Sequence, residues 1–141
     1  MRFVLDENEQ LDSEWLNGLC HIHALAAVEH HGGGFVLVTD NDGMDPRDVL
    51  HVLSVHDAPG GPVIRDAAGE AREADLFDYV DRLFPGRFGE RVDLDLAGLR
   101  HMLATGRLRA DPMALAAARE MGTVQAPPGA LLAMDDEPEG P

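Results

Sequence analysis

The chain changes from a helix pattern to a strand pattern at three consecutive glycines, and this switch constrains its fold more than any other feature. Asn17 and Gly18 offer N-cap chemistry to a stretch of helix-forming apolar residues that runs to about His31. Gly32-Gly33-Gly34 ends the pattern. Apolar positions lie most of the way around it, which predicts a helix buried against a sheet. Residues 35–39 follow as a strand rich in β-branched side chains.

Two further strands are predicted over residues 49–57 and 62–66, because a Pro and Gly segment separates them as a hairpin turn. If the strand ends beside the turn pair with each other, Leu53 lies opposite Asp66, and His51 is a diagonal neighbour of Asp66 on the same face. A tighter turn sets His51 directly opposite Asp66, and a β-bulge would break the contact. A helix packed on an antiparallel sheet predicts an α+β fold.

The second half of the chain carries helix patterns. Apolar residues recur at helical spacing over residues 74–84 and 94–104. Asp111 and Pro112 form an N-cap followed by a proline at the first helical position, which predicts a third helix up to about Gly122. We expect these helices to cover or extend the sheet.

One domain over residues 1–122 is therefore expected. Residues 123–141 are rich in proline, glycine and acidic side chains, which predicts a disordered tail. The tail contains one apolar island, residues 130–134, that could dock on the domain or on a partner. Residues 2–5 are a candidate short strand at the other end.

The charge balance excludes several classes of partner. The 141 residues include 26 acidic and 11 basic side chains, all of the latter arginine, and the formal net charge is −15. Such a surface repels phosphate backbones and anionic lipids, so neither nucleic acid nor a membrane is expected as a partner. A basic protein partner would fit the acidic surface.

Cysteine usage and the first residues bear on location. Cys20 is the only cysteine, so no internal disulfide forms and no oxidising compartment is required. The apolar residues 3–5 run directly into acidic ones and are too short for a signal peptide or a membrane span. A cytoplasmic protein is expected, and export without a signal stays open.

Cys20, His51 and Asp66 occur in the order of a thiol triad. A cysteine at a helix N-terminus has a lowered thiol pKa, because the unpaired N–H groups and the helix dipole favour the thiolate. His51 on the first hairpin strand would take the thiol proton, and Asp66 on the second would orient the imidazole. These three are the predicted catalytic residues.

The strings GLCHIHALAAVEHHGG and HVLSVHDAPGGPVIRDAAG resemble the core of the papain-like and transglutaminase-like cysteine enzyme superfamily, in particular small bacterial and phage papain-fold proteins. The resemblance covers residues 17 to about 70. It implies that Cys20 is the nucleophile, His51 the base and Asp66 the residue that orients the base. The implied reaction passes through a thioester, later resolved by water or an amine.

The oxyanion of such a reaction needs two hydrogen-bond donors. The Cys20 backbone N–H at the helix start supplies one of them. Papain-like peptidases place a glutamine six residues before the cysteine, but this chain has Glu14 there and so departs from the peptidase pattern. Asn17 or the Trp15 indole would replace the glutamine.

Two histidines follow Cys20 closely. His23 lies three residues on, faces the same side of the helix, and is the rival of His51 as the base, or else a supporting group. His21 points about 100° away around the helix, which favours a surface position or one behind the site.

The expected function is a cysteine-dependent hydrolase or acyltransferase that acts on a protein or peptide without a cofactor or metal. Peptide hydrolysis, other amide hydrolysis, protein deamidation, amine transfer and removal of a conjugated modifier all fit this chemistry. Two alternatives stay open: a non-catalytic papain-like binding or inhibitory module, and a zinc-binding protein with Cys20, His23 and His51 as ligands. No CxxC or HExxH spacing supports the zinc site.

Overall fold

An antiparallel sheet forms the centre of the molecule in the computed structural model, which describes residues 2–3, 18–45 and 48–135. Its strands in that part of the chain are β1 (Arg2–Phe3), β2 (Gly34–Asp40), β3 (Val49–His56), β4 (Val63–Asp66), β5 (Gly69–Arg72) and β6 (Phe88–Leu94). They lie in the order β1-β5-β4-β3-β2-β6, and all neighbours are antiparallel. Together with the helices, this sheet makes an α+β fold.

The helices of the described residues lie on both faces of the sheet. They are α1 (Cys20–His31), α2 (Leu76–Leu83, preceded by a 3-10 turn over Glu73–Asp75), α3 (Leu96–Ala104), α4 (Pro112–Arg119), α5 (Gly122–Gln125) and α6 (Ala130–Asp135). None of these helices has the length and apolar character needed to cross a membrane.

The first half of the chain follows the predicted pattern of helix, strand and hairpin. Ser54 pairs with Arg65 and Val55 with Ile64, so the predicted register, with Leu53 opposite Asp66, is confirmed. The predicted N-cap is wrong, because α1 begins one residue after Leu19, which occupies the N-cap position without a side-chain hydrogen bond. The thiol residue is therefore the first residue of the helix.

The sequence pattern did not predict two strands of the structure, β5 and β6. β5 is short and begins with a glycine, and charged residues interrupt the apolar pattern of β6. β5 pairs with β4 across a tight turn, and β6 pairs with β2 at the edge of the sheet. β6 depends on pairing with β2, which is far away in sequence, and β5 is only four residues long without a β-branched or aromatic side chain, which is why local pattern did not reveal them.

Apolar side chains fill both sides of the sheet. On one side, α1 and α3 pack on β2 and β3, in a cluster that includes Cys20, Leu37 and Val52. On the other side, α2 packs on a cluster that includes Leu53 and Tyr79. All residues of α1 from Cys20 to Val28 are buried, as expected for a helix with apolar positions all around it.

The sequence predicted a disordered tail from residue 123, but residues 123–135 are folded. Val124, Leu131 and Leu132 are buried there, and α5 and α6 form part of the folded body. Burial of this apolar island outweighs the disorder that the surrounding composition predicts. Residues 136–141 lie outside the described residues.

A buried ion pair holds this C-terminal segment, residues 122–135. Arg65 bonds Glu70 at 2.6 Å, and both side chains are fully buried. The Arg65 guanidinium also donates to the carbonyl oxygens of Ala126 and Pro127, and Glu70 accepts from the N–H groups of Gly129 and Leu132. Each charge thus has the additional hydrogen bonds that a buried ion needs.

Candidate active site

His51 and Asp66 meet as the hairpin register requires. The His51 Nε2 and the Asp66 Oδ2 are 2.7 Å apart, and both side chains have no exposed surface. A bulge in β3 lies beside His51: Val38 pairs with His51 and Thr39 pairs with Val49, so Leu50 is the extra residue. The bulge is on the β2 side of the strand, so the diagonal contact with β4 is preserved.

Four hydrogen bonds fix the Asp66 carboxylate. Its Oδ2 faces His51, while its Oδ1 accepts from the backbone N–H groups of Ala68 (2.9 Å) and Gly69 (3.0 Å). The Tyr79 hydroxyl donates to the same Oδ1 at 2.5 Å. Asp66 therefore closes the turn between β4 and β5 and orients His51 at the same time.

The Cys20 thiol lies beside β3, the strand that carries His51. Within the described residues, the ladder between β3 and β4 stops at Ser54 and Arg65, so β3 is open on that side before Ser54. There the Val52 N–H hydrogen-bonds the thiol. Cys20 packs with Leu37 and Val52 on the α1 side of the sheet, and the interaction with Val52 puts the sulfur beside the β3 backbone.

The environment of Cys20 favours the thiolate. Burial raises the thiol pKa, but hydrogen bonds from His21 and His51, the positive charge of His51 and the Val52 N–H outweigh burial and lower the pKa to about 6. The side chain is 3% exposed. The sulfur is therefore activated but almost covered.

His51 shows the opposite shift. Burial lowers the imidazole pKa, whereas the hydrogen bonds and charges of Asp66 and Cys20 raise it to about 10. Near neutral pH these two shifts describe a thiolate and imidazolium pair, with the carboxylate of Asp66 behind the imidazolium. This is the charge state of an activated cysteine nucleophile.

The sequence left His21 either at the surface or behind the site, and the structure buries it. It is 3% exposed, its Nε2 lies 2.6 Å from the Arg109 carbonyl oxygen, and its side chain is among the groups that lower the pKa of Cys20. Only its position next to Cys20 could have signalled this role, because Arg109 is 88 residues away in sequence.

Tyr79 was also missed. It is the only tyrosine, and it lies at a fully buried position of α2. Its pKa is raised well above the usual value by burial and by the charge and hydrogen bond of Asp66, so it acts as a hydroxyl donor.

His23 has a partner other than the thiol. Of the described residues, those that lower the pKa of Cys20 are His21, His51 and the Val52 backbone, and His23 is not among them. The His23 Nε2 instead lies 2.7 Å from the Thr123 hydroxyl, and its buried Nδ1 has no hydrogen-bond partner. Burial lowers the pKa of His23 to about 4. His51, not His23, is thus the histidine paired with both Cys20 and Asp66.

The predicted oxyanion donors are the Cys20 backbone N–H and a side chain, from Asn17 or Trp15. Asn17 and Trp15, the candidate oxyanion donors, lie outside the described residues. Ile22 and His23 donate the first backbone hydrogen bonds of α1, both to the Leu19 carbonyl. The Cys20 N–H therefore lies before the first intrahelical donor, at the start of the helix.

The ligands proposed for zinc do not assemble. Within residues 18–45 and 48–135, no group of three or more His, Cys, Asp or Glu side chains is arranged to hold a metal ion. Cys20, His23 and His51 therefore do not form the three-ligand arrangement of the zinc alternative.

Comparison with protein-family models, curated proteins and solved structures gave no match. Any assignment of activity therefore depends on the geometry around Cys20.

Proposed function

We propose that this protein is a cysteine-dependent hydrolase or acyltransferase that acts on an amide or related acyl bond of a protein or peptide. The observation that carries the proposal is the 2.7 Å bond between the fully buried His51 and Asp66. The same imidazole is among the groups that lower the pKa of the Cys20 thiol. A thiol, a base and a fixed carboxylate in this arrangement are the parts of a thiol triad.

The proposed reaction starts from the thiolate and imidazolium pair. Because the His51 Nε2 faces Asp66, Nδ1 is the nitrogen that exchanges a proton with Cys20. The thiolate attacks the carbonyl carbon, and the Cys20 backbone N–H stabilises the oxyanion. The leaving group takes the proton from the His51 Nδ1 as it departs, and water or an amine then resolves the thioester, with the neutral His51 imidazole as base.

The sequence resemblance to papain-like and transglutaminase-like enzymes fits this reading. The buried helix that starts at Cys20, and the adjacent strands that carry His51 and Asp66, agree with what that resemblance implies. Within this class, the acidic surface favours a basic protein or peptide as substrate or partner.

Acylation by a small thioester tests the proposal. The protein is incubated with an acetyl thioester, and intact and peptide mass spectrometry follow the adduct. We expect one acetyl group on Cys20, none in Cys20→Ser, and acylation roughly 100-fold slower in His51→Ala. His101→Ala, which changes an exposed histidine of α3, serves as the matched control. Equal acylation of wild type and His51→Ala would contradict the proposal.

A non-catalytic module is the second candidate, because Cys20 is only 3% exposed. In that case the native protein would form no acetyl adduct, although the unfolded chain would. Acylation of the native protein at Cys20 would exclude this candidate.

A further inference from the structure

The two carboxylate oxygens of Asp66 have different surroundings. Oδ2 lies 2.7 Å from the His51 Nε2. Oδ1 accepts three hydrogen bonds, from the backbone N–H groups of Ala68 and Gly69 at 2.9 and 3.0 Å and from the Tyr79 hydroxyl at 2.5 Å. Donors on Oδ1 stabilise negative charge on that oxygen, so less of the charge lies on the oxygen that faces the imidazole.

Tyr79 differs from the other two donors to Oδ1. The N–H groups of Ala68 and Gly69 belong to the turn that Asp66 closes, between β4 and β5. The hydroxyl comes from α2, a separate element, so the turn does not require it. The tyrosine ring is part of an apolar cluster, where a phenylalanine would pack without the cost of burying a polar group. The hydroxyl therefore acts on the carboxylate and not on the packing.

The bond from Tyr79 to Asp66 is a strong one. A carboxylate only accepts, so the hydroxyl is the donor, and hydrogen bonds to an ionised acceptor are roughly twice as strong as neutral ones. Both side chains have no exposed surface, so water does not replace the bond. Burial and the charge of Asp66 raise the Tyr79 pKa well above its usual value, so the phenol keeps its hydrogen while His51 titrates.

The hydroxyl stabilises the two protonation states of His51 unequally. When His51 is an imidazolium, its positive charge already compensates the charge of Asp66. When His51 is neutral, Asp66 is an uncompensated buried charge, and a donor to Oδ1 stabilises this state more. The hydroxyl thus opposes the effect of Asp66 itself. Burial lowers the pKa of His51, but the hydrogen bonds and charges of Asp66 and Cys20 raise it to about 10.

We propose that Tyr79 is a positioning residue of the triad, whose hydroxyl weakens the stabilisation of the His51 imidazolium by Asp66 and so makes the proton on Nδ1 available to the leaving group. The inference deepens the proposed function and rests on it. In the step concerned, the Nδ1–H bond breaks as the leaving nitrogen or oxygen takes the proton. The bond from that atom to the carbonyl carbon also breaks, which leaves the thioester and a neutral imidazole.

This role answers a conflict within the triad. A carboxylate that orients the imidazole also makes the imidazolium a weaker acid, whereas a general acid works best with a pKa near the working pH. Three donors on Oδ1 allow Asp66 to keep its orientation with less charge on Oδ2. Tyr79 acts through Asp66 rather than on the reacting atoms.

Other titratable or charged groups lie around this site. Among the described residues they are Cys20 and His23 on α1, Arg65 on β4 and Glu70 on β5. From α2 and its end, the site receives the Tyr79 hydroxyl and the apolar ring of Phe84, whose centroid is 5.3 Å from that of His51. All of these groups except the hydroxyl are common to wild type and to Tyr79→Phe, so a comparison isolates the hydroxyl.

The NMR signal of the His51 Nε2–H proton tests the inference at neutral pH without any substrate. This hydrogen lies between the imidazole and Asp66, and its signal moves downfield as the hydrogen bond becomes stronger. In Tyr79→Phe, charge returns to Oδ2, so we expect a downfield shift. A merely structural role predicts the opposite, because a looser pair has a weaker bond and an upfield shift. Loss of the signal in His51→Gln assigns it.

A fluorinated tyrosine supplies a change of opposite sign. Tyr79 is the only tyrosine, so growth on 3-fluorotyrosine alters one side chain of the protein. Fluorine withdraws electrons and makes the hydroxyl a stronger donor, so we expect the Nε2–H signal to move upfield. If circular dichroism shows that Tyr79→Phe does not fold, the fluorinated protein decides alone. Ser54→Ala, which removes another buried hydroxyl, bonded to His56 at 2.8 Å, is the matched control.

The alkaline limb of Cys20 acylation by phenyl acetate tests the acid role. The wild-type rate should fall near pH 10, where His51 loses its proton. We expect this limb to move up by about half a pH unit in Tyr79→Phe and down in the fluorinated protein. A limb that moves down or stays in place in Tyr79→Phe would overturn the inference, as would an Nε2–H signal that does not move in either protein.

Failure of the proposed function gives a different result. If the native protein forms no acetyl adduct while the Nε2–H signal moves in opposite directions in the two proteins, the effect of the hydroxyl on His51 stands and acyl transfer is rejected. If the adduct forms and depends on His51 while the signal does not move, acyl transfer stands and the role of Tyr79 is rejected.

Discussion

Two buried histidines, His23 and His56, are held neutral in the folded chain. Burial lowers the pKa of each to about 4. Their rings bond Thr123, the Gly32 carbonyl and Ser54, and all of these contacts form with neutral imidazoles. Protonating either ring inside the fold therefore has a free-energy cost.

We expect stability to fall with acid because of these two residues. The unfolded chain binds protons at about pH 6.5 and the folded chain only near pH 4, so the stability they contribute is present above pH 6.5 and lost as the pH falls towards 4. The loss is about 3 kcal/mol per group at most. Urea unfolding at several pH values measures it.

Variants of these two histidines test how steeply the unfolding free energy falls with pH, not its absolute value. His23→Gln and His56→Gln should each flatten the decline of unfolding free energy between pH 6.5 and 4. His30→Gln, which changes an exposed residue of the same helix as His23, is the control. An unchanged slope in both buried variants would contradict the assignment.

At this scale the sequence predicted the contact between His51 and Asp66, because two strands and one turn determine it. It did not predict Tyr79 as a member of the site, and it left His21 undecided between the surface and a position behind the site. Arg109 lies 88 residues from His21, and Tyr79 reaches Asp66 from a helix on the far face of the sheet. Contacts between separate elements depend on the packing of the whole fold, which local pattern does not contain.

The turn between α1 and β2 shows how closely two elements approach. A Cβ added at Gly33 would lie 2.0 Å from the Val55 carbonyl oxygen, whereas one at Gly32 would meet nothing within 4 Å. Both glycines have positive φ, 79° and 106° for Gly32 and Gly33. Backbone conformation thus requires glycine at both positions, and close packing adds a second requirement at Gly33.

We therefore expect unequal costs for two adjacent substitutions. Gly32→Ala should lower the free energy of unfolding by about 1–3 kcal/mol through backbone strain. Gly33→Ala should cost more, because the added methyl group also displaces β3, the strand that carries His51. Chemical unfolding of both variants measures the difference, and equal losses would show that β3 adjusts freely.

At the level of elements, the switch at the glycines was predictable because helix and strand periods differ on either side of it. β6 was not predictable in this way. Gly89, Glu90 and Arg91 are consecutive non-apolar residues that leave only a short alternating stretch on this edge strand, and pairing with β2 supplies the stabilisation that its own sequence lacks.

At the scale of the whole molecule, the C-terminal segment is the part for which amino-acid composition wrongly predicted disorder. Removing residues 122–141 would expose the surfaces that Val124, Leu131 and Leu132 cover, and would remove the backbone partners of Arg65 and Glu70. We expect this truncation to lower the thermal midpoint strongly, because an ion pair without its supporting hydrogen bonds is costly to bury. Differential scanning calorimetry measures the shift.

Truncation after Asp135 is the control, since it removes none of these contacts. It should leave the thermal midpoint close to that of the full chain. If both truncations unfold at the same temperature, the Arg65 and Glu70 contacts with residues 126–132 do not contribute to stability.

The contacts of Arg65 and Glu70 with the C-terminal segment are all made to peptide groups. Carbonyl groups are present whatever side chains residues 126–128 carry, so this part of the segment is free to vary in sequence while it stays attached. The two anchoring residues have no such freedom, because replacing either one leaves the other charge buried without its partner. Random mutagenesis with selection for folded protein should therefore recover many substitutions at residues 126–128 and almost none at Arg65 or Glu70.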